Sequence, residues 1–388
     1  MRRRALAVIP ALLVLALPAT GSAAAASSAP GIAHRNTHVC GAPAAGAAGC
    51  HAIRHDKVDR NGKVVPNVTP SGYGPADIRS AYSLTTSASG GRTVAIVDAY
   101  DDPNAEADLG VYRSQYGLPP CGSSNGCFTK VNQSGGTSLP RANGGWAQEI
   151  SLDLDMVSAA CPDCKILLVE ASSSSFANLG AGVNTAARLG ATAISNSYGG
   201  SDTAATSAYD HPGIAVTAST GDSGYGVQSP ASFPTVVAVG GTSLKHDSSA
   251  RGWIESAWSG AGSGCSTINK KPSWQVGTSC LGKANADVSA VADPNTGVAV
   301  YDSYAYQGVK GWLVFGGTSA SSPIIASVYA LSGNTAGYPA SYTWGHASGL
   351  FDVASGSNGT CPTTIWCNAG TGWDGPTGLG TPNGTSAF

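Results

Sequence analysis

From GYGPADIRSAYSL at Gly72 onwards, short apolar runs rich in β-branched residues alternate with Ala-rich stretches of helical character, and this alternation limits the possible folds more than any other feature. The runs are RTVAIVD, KILLVE, ATAIS, GIAVTAS and TVVAVGG, with helices expected through Ile150 to Val157 and around Leu179 to Leu189. Strands separated by helices pair in parallel, because the chain must cross back over the sheet before laying down the next strand. The expectation is one α/β domain over residues 76–388, with a mainly parallel central sheet flanked by helices and no evident internal repeat. Asp98, Glu170, Ser195 and Asp222 stand near the ends of predicted strands, where open α/β sheets place their binding crevice.

Residues 1–26 read as a secretory signal peptide, since Arg2 to Arg4 lead into AVIPALLVLALPA and then the small residues GSAAAASS. That apolar run is too short and Pro-broken to span a bilayer, and no later stretch reaches about 20 apolar residues. A secreted, extracellular protein with no membrane partner after signal cleavage is expected. Residues 27–75 are weakly patterned, hold His34, His38, His51 and His55, and read as a short leader or linker segment. The ten cysteines form five neighbouring couples: Cys40/Cys50, Cys121/Cys127, Cys161/Cys164, Cys265/Cys280 and Cys361/Cys367. Five local disulfides fit an oxidising compartment, and no second Cys or His pair completes a zinc site with Cys161 and Cys164. Charged residues make up 11% of the chain, and 21 basic residues, three of them Arg2 to Arg4, stand against 23 acidic ones. That balance excludes a highly charged disordered chain and argues against nucleic acid as a partner; a monomer is expected.

The segment GGTSASSPIIASVYAL puts Ser319 after two glycines and a threonine, just ahead of an apolar helix. Ser and Thr are ordinary helix caps and Pro323 suits a first helical turn, but glycines here also allow a close approach that exposes a hydroxyl to substrate. A nucleophilic serine needs a base. Asp98 in VAIVDAY, followed much later by Ser319, is similar to the subtilisin order of Asp, His and Ser, but the His is missing: between them lie His211 and His246, neither in a glycine-rich helix start. The remaining candidates are carboxylates. In GGWAQEISLDLDMVSAACP, Glu149 and Asp153 are spaced i, i+4 and share one helical face, whereas Asp155 points elsewhere. Two like charges there repel, and sharing a proton relieves the repulsion. Asp222, in VTASTGDSGYG, follows a predicted strand in a glycine-rich turn, which by itself is ordinary turn chemistry.

Taken together and in order, QEISLD, STGDSGYG, FPTVVAVGGTSL, DVSAVADPNTG and GGTSASSP resemble the sedolisin family of serine-carboxyl peptidases over about residues 72 to 388. The resemblance implies a subtilisin-like fold in which a Glu replaces the His. It implies Ser319 as nucleophile, Glu149 as general base and acid, Asp153 as its partner and Asp222 as the oxyanion-stabilising acid. Such a set implies acid-acting hydrolysis of polypeptide substrates, because Glu149 must be ionised to take the serine proton while Asp222 must be protonated to donate. In GLFDVASGSNG and AGTGWDGPTGLGTP, two carboxylates and several loop carbonyls offer ligands suited to calcium. The resemblance implies one structural Ca2+, held by the side chains of Asp352 and Asp374 and the carbonyls of Val353, Gly370 and Gly372. The loop WSGAGSGCS, with Trp258 and Gly262 to Cys265, resembles the edge that pairs with substrate backbone.

The chain also departs from the family. Members are usually made with a large folded prodomain, whereas about fifty residues separate the signal from GYGPADIRSAYSL, so the resemblance does not carry self-inhibition or autocleavage over. Tyr198 stands where many members have Trp, and Asp98 where some have a second-shell Glu. Two other readings are a non-catalytic, calcium-stabilised binding or structural module of the same fold and a His-dependent subtilisin-like peptidase.

Overall fold

The computed structural model describes residues 33–86 and 88–388. The signal peptide expected at residues 1–26 lies outside the described residues, as does the start of the leader.

All five apolar runs become strands of one eight-stranded sheet. Across it the strands run Trp253–Ala257, Val237–His246, Ala215–Ser219, Ala193–Asn196, Thr93–Ala99, Lys165–Ala171 and Phe128–Asn132. The short strand Val288–Val291 also pairs with Val237–His246, in parallel. Every pairing is parallel except that of Trp253–Ala257. The strands Thr93–Ala99 and Lys165–Ala171 are almost wholly buried, as expected where helices cover both faces of a parallel sheet. The expected α/β, subtilisin-like arrangement is therefore the observed one. The five local cysteine couples are all disulfides.

Two buried helices meet over the strand ends. The first, Gly144–Ala160, starts at Asn143, whose side chain accepts the N–H groups of Gly145 and Trp146, and all its residues from Gly145 on are buried. The second, Thr318–Ser332, begins one residue after Gly317, whose φ of 92° lies in the region that glycine tolerates best. Thr318 is thus the first helical residue and not a cap, and Pro323 sits in the second turn and not the first. Lacking an N–H, Pro323 cannot bond the Ser319 carbonyl four residues back, and that oxygen faces the Ser197 hydroxyl at 3.3 Å.

The segment read as a leader or linker does not stand apart. Ala33–His38 pairs with Ile53–Val58, and Ile53–Val58 continues a four-stranded antiparallel sheet through Val309–Gly316 to Val298–Tyr306. Gly49–Cys50 pairs with Tyr198–Ser201. Weak local patterning concealed these strands because Gly49–Cys50 and Ile53–Val58 find partners about 150 to 260 residues away along the chain, and Ala33–His38 pairs only with Ile53–Val58.

Candidate active site

Glu149, Asp153, Asp222 and Ser319 come from three separate stretches and meet at the C-terminal ends of the central strands. Glu149, Asp153 and Ser319 are each fully buried. The i, i+4 spacing on the Gly144–Ala160 helix turns both acids to one side, and each has one oxygen satisfied. Glu149 Oε2 accepts the Ala52 N–H at 2.9 Å, and Asp153 Oδ1 accepts the Ser197 hydroxyl at 2.8 Å. Glu149 Oε1 and Asp153 Oδ2 are buried without a donor. Desolvation pushes both carboxyls well above their ordinary range; the charge of Asp98 pushes both further, Asp222 adds to Glu149 and Glu149 adds to Asp153, while contact with the Ser319 hydroxyl pulls Glu149 part of the way back. Two acids in this position hold one proton between them more readily than two charges.

Asp98 joins this pair from the end of the Thr93–Ala99 strand. It is fully buried, neither of its oxygens finds a donor, and burial pushes its carboxyl up to about 8. Tyr198 is buried beside the ring of Trp146 and donates its hydroxyl to Asn196 Oδ1 at 2.7 Å.

Asp222 approaches at the start of the Ser319 helix. Its Oδ1 accepts both the Thr318 N–H at 2.7 Å and the Thr318 hydroxyl at 2.8 Å, which ties it to the first turn of the serine helix. Its Oδ2 is buried with no donor. The residue keeps some surface in the cleft, but protein encloses the carboxyl on its other sides, and desolvation pushes it up to about 7 against the pull of the two Thr318 bonds. The WSGAGSGCS loop lies alongside, with the Gly262 N–H donating to the Gly221 carbonyl at 2.8 Å.

A cleft of about 540 Å³ opens here, bounded by Asp222, Ser223 and Gln228 on one side and by residues of the 38–51 segment on the other. The histidine nearest the chemistry is His51, not His211 or His246. Its Nε2 donates to Gln228 Oε1 at 2.9 Å, leaving Nδ1 to accept the Ser219 hydroxyl at 2.7 Å. Both ring nitrogens are thus engaged away from Ser319, and burial lowers the ring's pKa to about 4. His211 bonds the Ala208 carbonyl, and His246 stacks on Trp253. Ser197, Ser219, Gln228 and His51 were missed from sequence. Ser197 could have been suspected from its place just beyond the strand end in ISNSYGG; the others carry no local signal.

Asp352 and Asp374, expected as calcium ligands, lie apart from the serine, each bonded to an N–H of the 370–372 loop. The Gly372 N–H donates to Asp352 Oδ2 at 3.0 Å and the Gly370 N–H to Asp374 Oδ2 at 3.1 Å; Asp374 Oδ1 takes the Thr377 N–H and hydroxyl, both at 2.9 Å. Val353 is buried next to Asp352. Burial, with the Asp352 charge adding to it, pushes the Asp374 carboxyl up to about 7. No Lys, Arg or His side chain pairs with either carboxylate among the described residues. Asp102, Asp108 and Asp302 form another buried cluster, unnoticed from sequence, whose carboxylate oxygens lie within 4.8 Å of one another and could hold a divalent metal.

Residues 137–350, more than half of the chain, match the model of the subtilase family. Kumamolisin from Bacillus sp. (strain MN-32) is 29% identical over 367 residues, covering 82% of this chain and 63% of kumamolisin. Sedolisin from Pseudomonas sp. (strain 101) is 35% identical over 176 residues, covering 40% and 29% respectively. Among solved structures, Pseudomonas sedolisin, a serine-carboxyl proteinase complexed with two molecules of pseudo-iodotyrostatin, superposes with a TM-score of 0.65 at 26% identity, covering 81% of this chain and 96% of that one. The chain belongs to the subtilase family, in its sedolisin branch. It spans less than two thirds of the length of these curated relatives.

Proposed function

We propose that the protein is a secreted, acid-acting serine-carboxyl peptidase that hydrolyses peptide bonds of polypeptides through an acyl-enzyme on Ser319. Glu149 takes the hydroxyl proton as Ser319 attacks and returns it to the leaving nitrogen. Asp153 shares that proton and fixes the orientation of Glu149. Asp222, as a neutral acid, donates from Oδ2 to the developing oxyanion. The observation that carries this reading is the fully buried Glu149–Asp153 pair in contact with Ser319, each acid keeping one oxygen free of any other donor.

The acid range follows from two opposed needs. The carboxyl pair must carry a charge to act as base, and Asp222 must stay protonated to act as donor. With Asp222 at about 7, the donor is intact in mildly acidic solution and is lost as the pH rises past neutrality. The division into a 27–75 segment and a 76–388 catalytic domain belongs to the same proposal, with the described part of the segment contributing a wall of the cleft. Export fits the five disulfides, and no helix among the described residues is long and apolar enough to cross a membrane.

Calcium is proposed at Asp352 and Asp374, with the carbonyls of Val353, Gly370 and Gly372. The ion would supply the positive charge that the loop's own residues do not. The buried Asp374 carboxyl and its acidic neighbour Asp352 support this assignment.

The decisive experiment is a pH profile of hydrolysis of denatured casein by the wild type and Ser319→Ala. Hydrolysis with an acid optimum that falls at least about 10³-fold in Ser319→Ala is expected. Equal rates in the two proteins would end the proposal.

A further inference from the structure

Ser197 stands alone between the strands Ala193–Asn196 and Tyr198–Ser201, just beyond a central strand end, and is fully buried. Its two oxygens serve the two halves of the site. The carbonyl accepts the Ser319 hydroxyl at 3.2 Å. The side-chain hydroxyl has one proton and two oxygens before it, Asp153 Oδ1 at 2.8 Å and the Ser319 carbonyl at 3.3 Å. The nearer acceptor, which carries charge when the acid pair is ionised, takes the proton. No Lys, Arg or His side chain pairs with Glu149 or Asp153 among the described residues. Stabilisation of charge on Asp153 therefore falls to this hydroxyl, which pulls the carboxyl down against the burial that raises it.

A carboxyl oxygen that already accepts a donor is a poor place for a proton, because two hydrogens would then face each other. Ser197 engages Asp153 Oδ1, and the Ala52 N–H engages Glu149 Oε2. The shared proton is left with Glu149 Oε1 and Asp153 Oδ2, which have no other donor. We propose that the Ser197 hydroxyl is a positioning group for the reaction: by holding Asp153 Oδ1 as an acceptor, it confines the proton of the pair to the oxygens that exchange it with Ser319. The inference rests on the serine-carboxyl reading above. Without the hydroxyl, Oδ1 becomes a second resting place for the proton, in competition with Oδ2, and the ionised pair loses a donor.

The other groups that face the pair do not blur this role. Asp98, on the Thr93–Ala99 strand, is pushed up to about 8 and Asp222 up to about 7, so both are neutral in acid. The Tyr198 phenol, raised by burial, is neutral as well. The His51 ring, lowered to about 4, bonds Ser219 and Gln228 instead. Its titration is common to wild type and a Ser197 variant, so a difference between their acid limbs reports on Glu149 and Asp153.

The test compares wild type, Ser197→Ala and Ser197→Thr, each shown to be folded by its melting curve, in kcat and KM for denatured casein from pH 2.5 to 7. Ser197→Ala should lower kcat at its optimum by about 10- to 100-fold, with KM unchanged because the hydroxyl touches no substrate. The pair must be ionised to act as base, and a lost donor disfavours the ionised form, so the acid limb should move up by about one pH unit. Ser197→Thr keeps the hydroxyl and should recover most of the rate and the limb of wild type. Because its extra methyl enters a packed site, a second comparison stands beside it. On an Asp153→Asn background, where no titrating partner remains to be positioned, Ser197→Ala should lower kcat by no more than about twofold further. An acid limb that stays in place or moves down, or an equal loss with and without the Asp153 carboxyl, makes Ser197 a packing residue and overturns the inference. Hydrolysis by wild type that is lost in Ser319→Ala then leaves the peptidase reading standing. If wild type shows no such hydrolysis, both fall.

Discussion

Glu149 and Asp153 turn toward the serine helix, whereas Asp155, two residues further along the same helix, turns to the Val298–Tyr306 strand and accepts the Tyr301 N–H at 2.9 Å. The acids around Asp155 are treated the same way: Asp108 accepts the Ser303 N–H at 2.7 Å, Asp302 the Tyr304 N–H at 2.9 Å, and Asp102 the Asn104 N–H at 2.9 Å. On the serine side, Glu149 Oε1, Asp153 Oδ2, Asp222 Oδ2 and both oxygens of Asp98 are buried with no donor. Burial raises the pKa on both sides, so a raised value alone does not separate them. What separates them is the other oxygen: on the serine side it is sealed in without a donor, whereas Asp302 and Asp102 engage theirs with the Gln148 amide and the Ser151 hydroxyl. A carboxyl with both oxygens engaged holds loops and strands in place; one with a buried oxygen to spare can exchange a proton.

The change that breaks this contrast most severely is Glu149→Gln. It preserves the size of the side chain and an acceptor for the Ala52 N–H but removes the proton-transfer site, so turnover should fall by about 10⁴-fold at every pH. A kcat measured from pH 3 to 8 checks it, and a variant with a tenth of wild-type turnover anywhere in that range would remove Glu149 from its role. Next in size is Asp222→Asn. Losing the neutral acid should cost about 10²- to 10³-fold at the optimum. Because an amide does not titrate, the variant should lose less activity than wild type as the pH rises through 7, where Asp222 itself ionises. An alkaline limb identical to that of wild type would make Asp222 a turn residue that merely holds Thr318.

How far the sequence reveals each side of this comparison depends on the reach of the interactions involved. The five strands and the i, i+4 placement of Glu149 and Asp153 follow from local periodicity, which is why they could be read directly. Asp98 was legible as a polar strand end, and the resemblance set it where some members carry a supporting Glu; that its own carboxyl joins the acid pair depends on which helix crosses its strand. The 33–58 segment was read as a linker because its order comes from pairing with Tyr198–Ser201 and Val309–Gly316, far along the chain. His51 looked like one of four histidines in a weakly patterned stretch; its pocket is made by Ser219 and Gln228, to which no local pattern points.

A chelator tests the third acidic region, the Asp352–Asp374 loop, and should have a smaller effect. Binding to the native state stabilises by about 2.7 kcal/mol when the ligand is at 100 times its Kd. Chelation should therefore lower the melting temperature of wild type by several degrees, with little further effect on Asp374→Ala, which starts lower. If chelation shifts both proteins equally, the ion sits elsewhere, and Asp102→Asn becomes the next variant to examine, because its cluster also meets the requirements for a divalent cation.

Asp155→Asn is expected to change turnover least, by no more than about threefold, because its Oδ1 can still accept the Tyr301 N–H and nothing in the proposed chemistry touches it. Its stability should nevertheless respond to pH in a way that marks the structural side of the helix. Burial raises the Asp155 carboxyl well above its ordinary range, with Asp108 and Asp302 adding to the rise and Arg113 opposing it. A carboxyl whose folded pKa is raised contributes its full stability below the unfolded value of about 3.9 and loses it as the pH climbs toward the folded one. Asn has no such loss. Relative to wild type, the melting temperature of Asp155→Asn should therefore rise as the pH is taken from 3.5 to 7, while relative turnover stays flat. Melting curves and kcat on the same samples make the comparison, and a fall in turnover as deep as that of Glu149→Gln in a folded Asp155→Asn protein would mean that the two faces of the helix are not divided between structure and chemistry.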